Sequence, residues 1–511
     1  MVRRYIPFFV LLGVVTIYWL SSVLFLDPDF GLHIRMGQLI LTKGIPATDP
    51  FSYTMPSYPV VDHEWLSDVL LVKLYSVVGY AGLGVIFTVI ATAALLLQWQ
   101  IVRAHRRFAF IPFLLAIVTL YSFFGIRPQV ISWFFFSLIL VVTADLEKFR
   151  NWRMLLPFMF LLWANLHGGF PIGLVIFLLA YLYWIFKGKF SIFGSILLFL
   201  ASVGSTFITP YGMGTWREVW MTMSDGIVRW TIAEWHPSFF NVSFPFWTFV
   251  VLSVLLIVRY RRKFTFLDVS LFFILLFLAL SSLRHIPLWI LAALPLTTQG
   301  LVFLSQEAAG VKYGKERFLK AFKVFSVIVC ILLLPDVLSF ITSLQAKEDY
   351  YPQKAVVYLH SHRPHGQIFS SYNWGGFLIW QLPEKKVFVD GRMPSWRWNA
   401  HIAGESDYAF NDYRKLIGGK LSFTLTTKKY NISMLLLPNE IYEKQSPFIE
   451  QIEDFEDSIG EKFNLPFFNK KSKNFAYLIA EAKRAGWVEV YKDDTAVIYQ
   501  DKRIERFLSR G

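Results

Sequence analysis

The sequence predicts a polytopic α-helical membrane domain followed by an extracytoplasmic α/β domain. Three observations predict it. First, 55% of the 511 residues are hydrophobic and only 17% are charged, with a mean hydropathy of +0.46. Soluble domains carry about 25% charged residues, so this balance excludes a disordered chain and does not suit a wholly soluble enzyme. Second, long apolar runs alternate with short polar stretches as far as residue 344 or so. Third, charges return after about 345 and the apolar runs shorten to strand length. The domains are therefore expected at 1–344 and 345–511.

A bilayer core needs roughly 20 apolar residues per helix. Spans are expected near 6–26, 81–101, 109–124, 130–144, 154–166, 170–186, 190–208, 245–258, 264–282, 286–304 and 321–341, about eleven in all. The run after Arg3 and Arg4 is too long for a signal peptide's apolar region, and Asp27-Pro28-Asp29 follows it without a small-residue cleavage site. It is expected to be an uncleaved first helix. The net charge of +14 would suggest nucleic acid on a soluble protein, but the cations cluster between apolar runs. Arg103/Arg106/Arg107, Lys148/Arg150/Arg153, Lys187/Lys189, Arg259/Arg261/Arg262/Lys263 and Lys312/Lys315/Arg317/Lys320 all fall in alternate loops with Arg3/Arg4. Such loops face the cytoplasm. The protein is thus expected in the cell membrane, with a cytoplasmic N-terminus, an extracytoplasmic C-terminal domain, the lipid bilayer as a partner and no nucleic acid. The single cysteine, Cys330, excludes an intrachain disulfide or a Cys-based zinc cluster, and its apolar surroundings predict a buried thiol.

The outer loops hold the unusual polar residues. Ionisable groups at a membrane boundary are costly and usually functional, and this one-sided set suggests a shared polar cavity. Asp27-Pro28-Asp29 ends the first span; two carboxylates there would hold a divalent cation or take a proton, and they would also serve as a helix stop. Phe30 to Leu41, with His33 on its polar side, and Trp65 to Val78 are amphipathic and read as interfacial helices. Between them, Asp62-His63-Glu64-Trp65 would bind a metal or substrate, or Asp62 would cap the next helix. Arg127-Pro128-Gln129 places a cation for a phosphate or a headgroup. Asn165-Leu166-His167-Gly168-Gly169 combines polar contacts with glycines that admit a ligand, or forms a tight turn. Glu234-Trp235-His236 lies in a long outer loop, and Arg284-His285 opens the tenth span as an anion site or an interfacial anchor.

In the outer domain, Val387–Val389, Met434–Leu437 and Ala496–Tyr499 read as strands. Residues 489–497 read as a hairpin with an Asp-Asp turn, and Ala476 to Ala485 as a helix stopped by Gly486. Ser371-Tyr372-Asn373-Trp374-Gly375-Gly376 and Asp390-Gly391-Arg392 are polar, Gly-rich spots that would face the cavity or simply turn the chain. Asn241 and Asn431 begin glycosylation sequons. No P-loop, Rossmann fingerprint, HExxH or GxSxG is present.

The order of these pieces resembles the GT-C superfamily of membrane glycosyltransferases, which includes protein O-mannosyltransferases, oligosaccharyltransferase catalytic subunits and lipid A aminoarabinose transferases. The resemblance rests on a first span ending in Asp27 and Asp29, a long outer loop with two interfacial helices, many spans and an outer C-terminal domain. The stretch Asp29 to Gly44 matches the aminoarabinose-transferase type, whereas Asp27-Pro28 is similar to the metal-binding start of the oligosaccharyltransferase loop. Gly31-Leu32 stands where aromatic residues are expected, and the Glu-x-Pro-Pro motif is missing. The chain as a whole also resembles uncharacterised bacterial multi-pass glycosyltransferase-like proteins. The resemblance implies an inverting transferase that moves a sugar from a polyprenyl-phosphate donor to a glycan, lipid or protein acceptor. Asp29 or Asp27 would be catalytic. His33, Asp62, His63, Glu64, Arg127, Asn165, His167, Glu234, Arg284 and His285 would bind substrate, and Asp27 with Glu64 would hold a divalent cation, Mg or Mn. A second expectation is a non-enzymatic protein that moves or holds a glycolipid or envelope polymer; the charges at one edge, rather than at the bilayer midplane, argue against alternating access.

Overall fold

A computed structural model describes residues 6–240, 244–335, 350–363, 365–439 and 475–501. Arg3, Arg4, the sequon at Asn241, the end of the eleventh expected span and the 344/345 boundary lie outside the described residues. The chain runs through α1 (Ile6–Leu24), α2 (Phe30–Lys43), α3 (Trp65–Val102), α4 (Arg106–Leu120), α5 (Gln129–Thr143), α6 (Leu146–Trp152), α7 (Leu156–Leu166), α8 (Phe170–Phe186), α9 (Ile192–Ser205), α10 (Met213–Ser224), α11 (Gly226–Thr231), α12 (Phe244–Tyr260), α13 (Phe266–Ser281), α14 (Ile286–Ala309) and α15 (Gly314–Leu332). Each expected span coincides with one of these helices.

Fewer of them reach full span length. Among the described residues, Trp65–Val102, Phe244–Lys263 and Leu283–Ala309 are long and apolar enough to cross a bilayer. A fourth qualifies if α5 and the segment Leu146–Leu166, bent by 117°, are taken together. Aromatic packing fixes the bundle: Trp133, Trp163 and Trp289 are fully buried, and Trp163 stacks on Phe135 and Phe160. The outside of the bundle is equally apolar, with Phe186 87%, Phe193 80% and Phe277 71% exposed. A water-facing surface does not carry large apolar patches of this kind. Cys330 lies on that outward face of α15, exposed and not buried as expected, because α15 turns most of its apolar side chains outward.

Two glycines shape the first outer loop. Gly79 adopts φ 66°, a left-handed conformation that breaks the helical path of α3. The break falls one residue after the expected interfacial stretch ends at Val78. Gly37 lets α2 cross α3 closely, since a Cβ there would run into the Asp68 carbonyl.

The C-terminal part comprises α16 (Gln353–His362), β1 (Gln367–Ser370), α17 (Gly375–Gln381), α18 (Ala409–Ile417), α19 (Phe423–Lys429), β2 (Ile432–Pro438), α20 (Ala476–Arg484), β3 (Val488–Lys492) and β4 (Ala496–Gln500). The sheet order is β1-β2-β4-β3, with β1 and β2 parallel and the other pairs antiparallel. Asp493 closes the β3–β4 turn by accepting the N–H groups of Thr495 and Ala496. The expected strand at Val387–Val389 is not in this sheet. Its partner is the first outer loop instead: Val387 donates its N–H to the Phe51 carbonyl at 3.0 Å and accepts the Tyr53 N–H at 3.1 Å. Met55, Tyr58 and Val60 enter the same core as Phe388, Trp396 and Leu435. Thus the loop that leaves the helical domain becomes part of the outer domain's core.

Candidate active site

Five loop regions of the helical part and the C-terminal domain line one cavity of about 910 Å³. Asp29, His33, Asp62, His63, Glu64, His167, Glu234, Arg284 and His285 all line it; Asp27, Arg127 and Asn165 do not. Its walls come from residues more than 300 positions apart, and five of the chain's ten histidines face it.

Asp27 and Asp29 part company at the end of α1. Asp27 is buried, accepts the Asp29 N–H at 3.0 Å through Oδ1, and pairs through Oδ2 with the Nε of Arg127. Arg127 in turn donates from a terminal nitrogen to Glu234 at 2.6 Å. Arg127 is therefore consumed by two carboxylates. Asp29 is left with its carboxylate in the cavity, where Gly391 covers one oxygen. Enclosure within the protein and the Asp27 charge raise its pKa to about 6, with Glu234 adding to the rise and His33 and Arg127 opposing it.

The outer domain is fitted to this carboxylate by glycines. A Cβ at Gly391 would collide with Asp29 Oδ1, and one at Gly376 with the Pro28 carbonyl. Gly31 has no room for a side chain against the Gly376 carbonyl and Trp380. This explains why a glycine stands where an aromatic residue was expected. Arg392 locks the turn by donating to Asp390 at 2.6 Å and to Asp49 at 2.7 Å, with Phe51 and Trp396 against its guanidinium. Tyr372 and Asn373 complete this wall.

Across the cavity stands a histidine-rich face. His33 donates from Nδ1 to Asp68 at 2.7 Å. Burial alone would lower its pKa, but Asp68, then Glu64 and Asp29, raise it to about 10. Glu64 lies 3.4 Å from His167 and 3.8 Å from each of His33 and His63. Burial lifts Glu64 to about 7 and Asp62 to about 6, while burial and Arg284 depress His63 to about 4. Asp62 accepts the Glu64 N–H at 3.0 Å in a turn ahead of α3, which begins at Trp65, so it is not the helix cap expected of it; its second oxygen is buried without a hydrogen bond.

Arg284, like Arg414, is a further cation on the cavity wall. It sits 3.5 Å from Glu234 and lies over the Trp235 ring. Arg127 first and Arg284 second outweigh burial at Glu234 and hold its carboxyl below the usual value. His285 beside it is buried with a free Nδ1. Asn165 is structural: it accepts the Trp65 indole N–H at 2.8 Å and donates to the carbonyls of Leu161 and Ile208.

The pair expected to hold a divalent cation does not fit one. Both Asp27 oxygens are engaged by Arg127 and a backbone N–H, and Glu64 faces imidazoles elsewhere. No group of three His, Cys, Asp or Glu side chains suited to a metal occurs among the described residues. Asp68, Ser132 and Trp163 escaped the sequence analysis. Asp68 was within reach, since it follows Glu64 by one helical turn; Ser132 and Trp163 carry no local signal.

The fold and site together define a multi-helix protein with a polar cavity walled on one side by a C-terminal α/β domain. No protein-family model and no curated protein sequence matches the chain. Among solved structures it is similar to the crystal structure of ArnT from Cupriavidus metallidurans in the apo state, at 13% identity and a TM-score of 0.47 over 98% of both chains.

Proposed function

We propose that the protein is an inverting membrane glycosyltransferase that transfers a sugar from a polyprenyl-phosphate donor to an acceptor hydroxyl on the outer face of the membrane. One observation carries the reading: Asp29 and Arg284 line the same cavity. Asp29 removes the acceptor's proton as its oxygen bonds to the anomeric carbon. The bond from that carbon to the phosphate oxygen breaks, and polyprenyl phosphate leaves. Arg284, with His285 and His63 nearby, receives the charge that builds on the phosphate, the kind of electrostatic help that dominates such reactions. Asp27 positions Asp29 through its N–H and holds Arg127. No step is assigned to a metal ion.

The orientation follows from α14. His285 precedes it at the cavity, whereas Glu307 near its far end pairs with Arg259 of the basic cluster 259–263. Twenty-two residues at 1.5 Å each set these roughly 33 Å apart, which supports the reading that the basic loops face the cytoplasm and the cavity the outer side.

The test is Asp29→Asn in vesicles supplied with labelled polyprenyl-phosphate sugars and envelope acceptors. Loss of transfer by about 10²–10⁴-fold, the usual share of a general base, is expected. Transfer at the wild-type rate removes Asp29 from the mechanism.

A further inference from the structure

A proton-ordered chain runs behind the histidine face. The Trp163 indole N–H donates to Ser132 Oγ at 2.6 Å, and Ser132 Oγ lies 2.6 Å from His167 Nδ1. The Gly169 N–H also points at Nδ1, at 3.0 Å. All three side chains are buried. An indole N–H and a backbone N–H only donate. Nδ1 must therefore carry a lone pair, and the Ser132 hydroxyl, already accepting from Trp163, donates its O–H hydrogen bond to Nδ1. The ring proton of neutral His167 is forced onto Nε2. That atom is buried, makes no hydrogen bond, and faces Glu64 Oε1 at 3.4 Å on the cavity wall. Burial, then Arg284 and His63, hold the His167 pKa well below the usual imidazole value.

We propose that Ser132 and Trp163 are positioning residues that fix His167 as an Nε2–H donor on the cavity wall beside Glu64, where the two bind hydroxyl groups of the donor's sugar, the ring donating and the carboxylate accepting. His167 then has no lone pair to offer on the cavity side and is not a base. The sugar-binding role rests on the transferase reading; the tautomer does not.

Two measurements separate these parts. Protein labelled with ¹⁵N-histidine is examined in lipid bilayers by solid-state NMR, with His167→Gln identifying the resonance. An Nε2-protonated neutral ring supports the proposal. An Nδ1-protonated ring or an imidazolium overturns it, whatever the activity. In the transfer assay, Ser132→Ala is expected to raise KM for the polyprenyl-phosphate sugar about tenfold with a smaller change in kcat, and Ser132→Thr to restore it. His167→Gln, whose amide offers an N–H near the Nε2 position, is expected to retain more donor affinity than His167→Asn. An unchanged KM in Ser132→Ala, or equal losses in the two His167 variants, overturns the positioning role. A wild-type protein inactive on every lipid-linked sugar overturns the transferase reading and leaves the tautomer result standing.

Discussion

Gly391→Ala tests whether the outer domain sets the position of the reacting carboxylate. Gly391 is not among the glycines with a left-handed backbone, so alanine is allowed there. The new methyl, however, would overlap Asp29 Oδ1 and lie 3.3 Å from its Cγ. Asp29 stands at the cavity, so the carboxylate has space to yield, and it must withdraw by roughly 1 Å. A misplacement of that size costs about 10²-fold in rate, equivalent to about 2.7 kcal/mol of barrier. The fold itself is little disturbed, and unfolding stability should change by less than about 1 kcal/mol. The assay is transfer from labelled polyprenyl-phosphate sugar in vesicles, alongside a thermal melt of the same preparation. A normal melt with a hundredfold slower transfer is expected. Full activity would refute the claim that the Gly391 turn holds Asp29 in its working place.

The raised pKa of Asp29 makes a pH prediction. The base is ionised above about pH 6 and is lost as pH falls through that value, so kcat/KM should decline on the acid side with an apparent pKa near 6. A profile flat down to pH 5 would contradict this. Replacing Arg392 with Met leaves Asp49 and Asp390, both buried, without their cation. The cost should be about 3–5 kcal/mol, seen as a lower melting temperature and faster proteolysis of the outer domain. Asn165→Ala strips the Trp65 indole of its acceptor and the Ile208 carbonyl of a donor. It should lose about 1–3 kcal/mol of stability while KM for the donor stays unchanged, because Asn165 does not line the cavity.

The extent of the sequence's information differs between fold and site. Helix positions were readable because apolar runs, glycine and proline breaks and basic clusters act over a few neighbouring residues. The interfacial stretch that ends at Val78, just before the left-handed Gly79, is one example. The strand at Val387–Val389 was misassigned for the opposite reason: its residues suit a strand, but the partner is Phe51–Tyr53, over 330 positions upstream.

What the sequence alone determined, then, was a set of apolar helices with chemically unusual residues gathered at the loops of one side. The tertiary structure decided what each of those residues is free to do. Asp27 and Asp29 are two positions apart and chemically identical, yet Arg127 takes one and leaves the other to the cavity. Gly376 and Gly391 look like ordinary turn residues, and Gly31 like a plain helix position, until the chain folds back and each is found where a side chain would strike the group opposite. Ionic pairing and steric exclusion act through space over a few ångströms, and the groups they join here lie a hundred to several hundred residues apart along the chain.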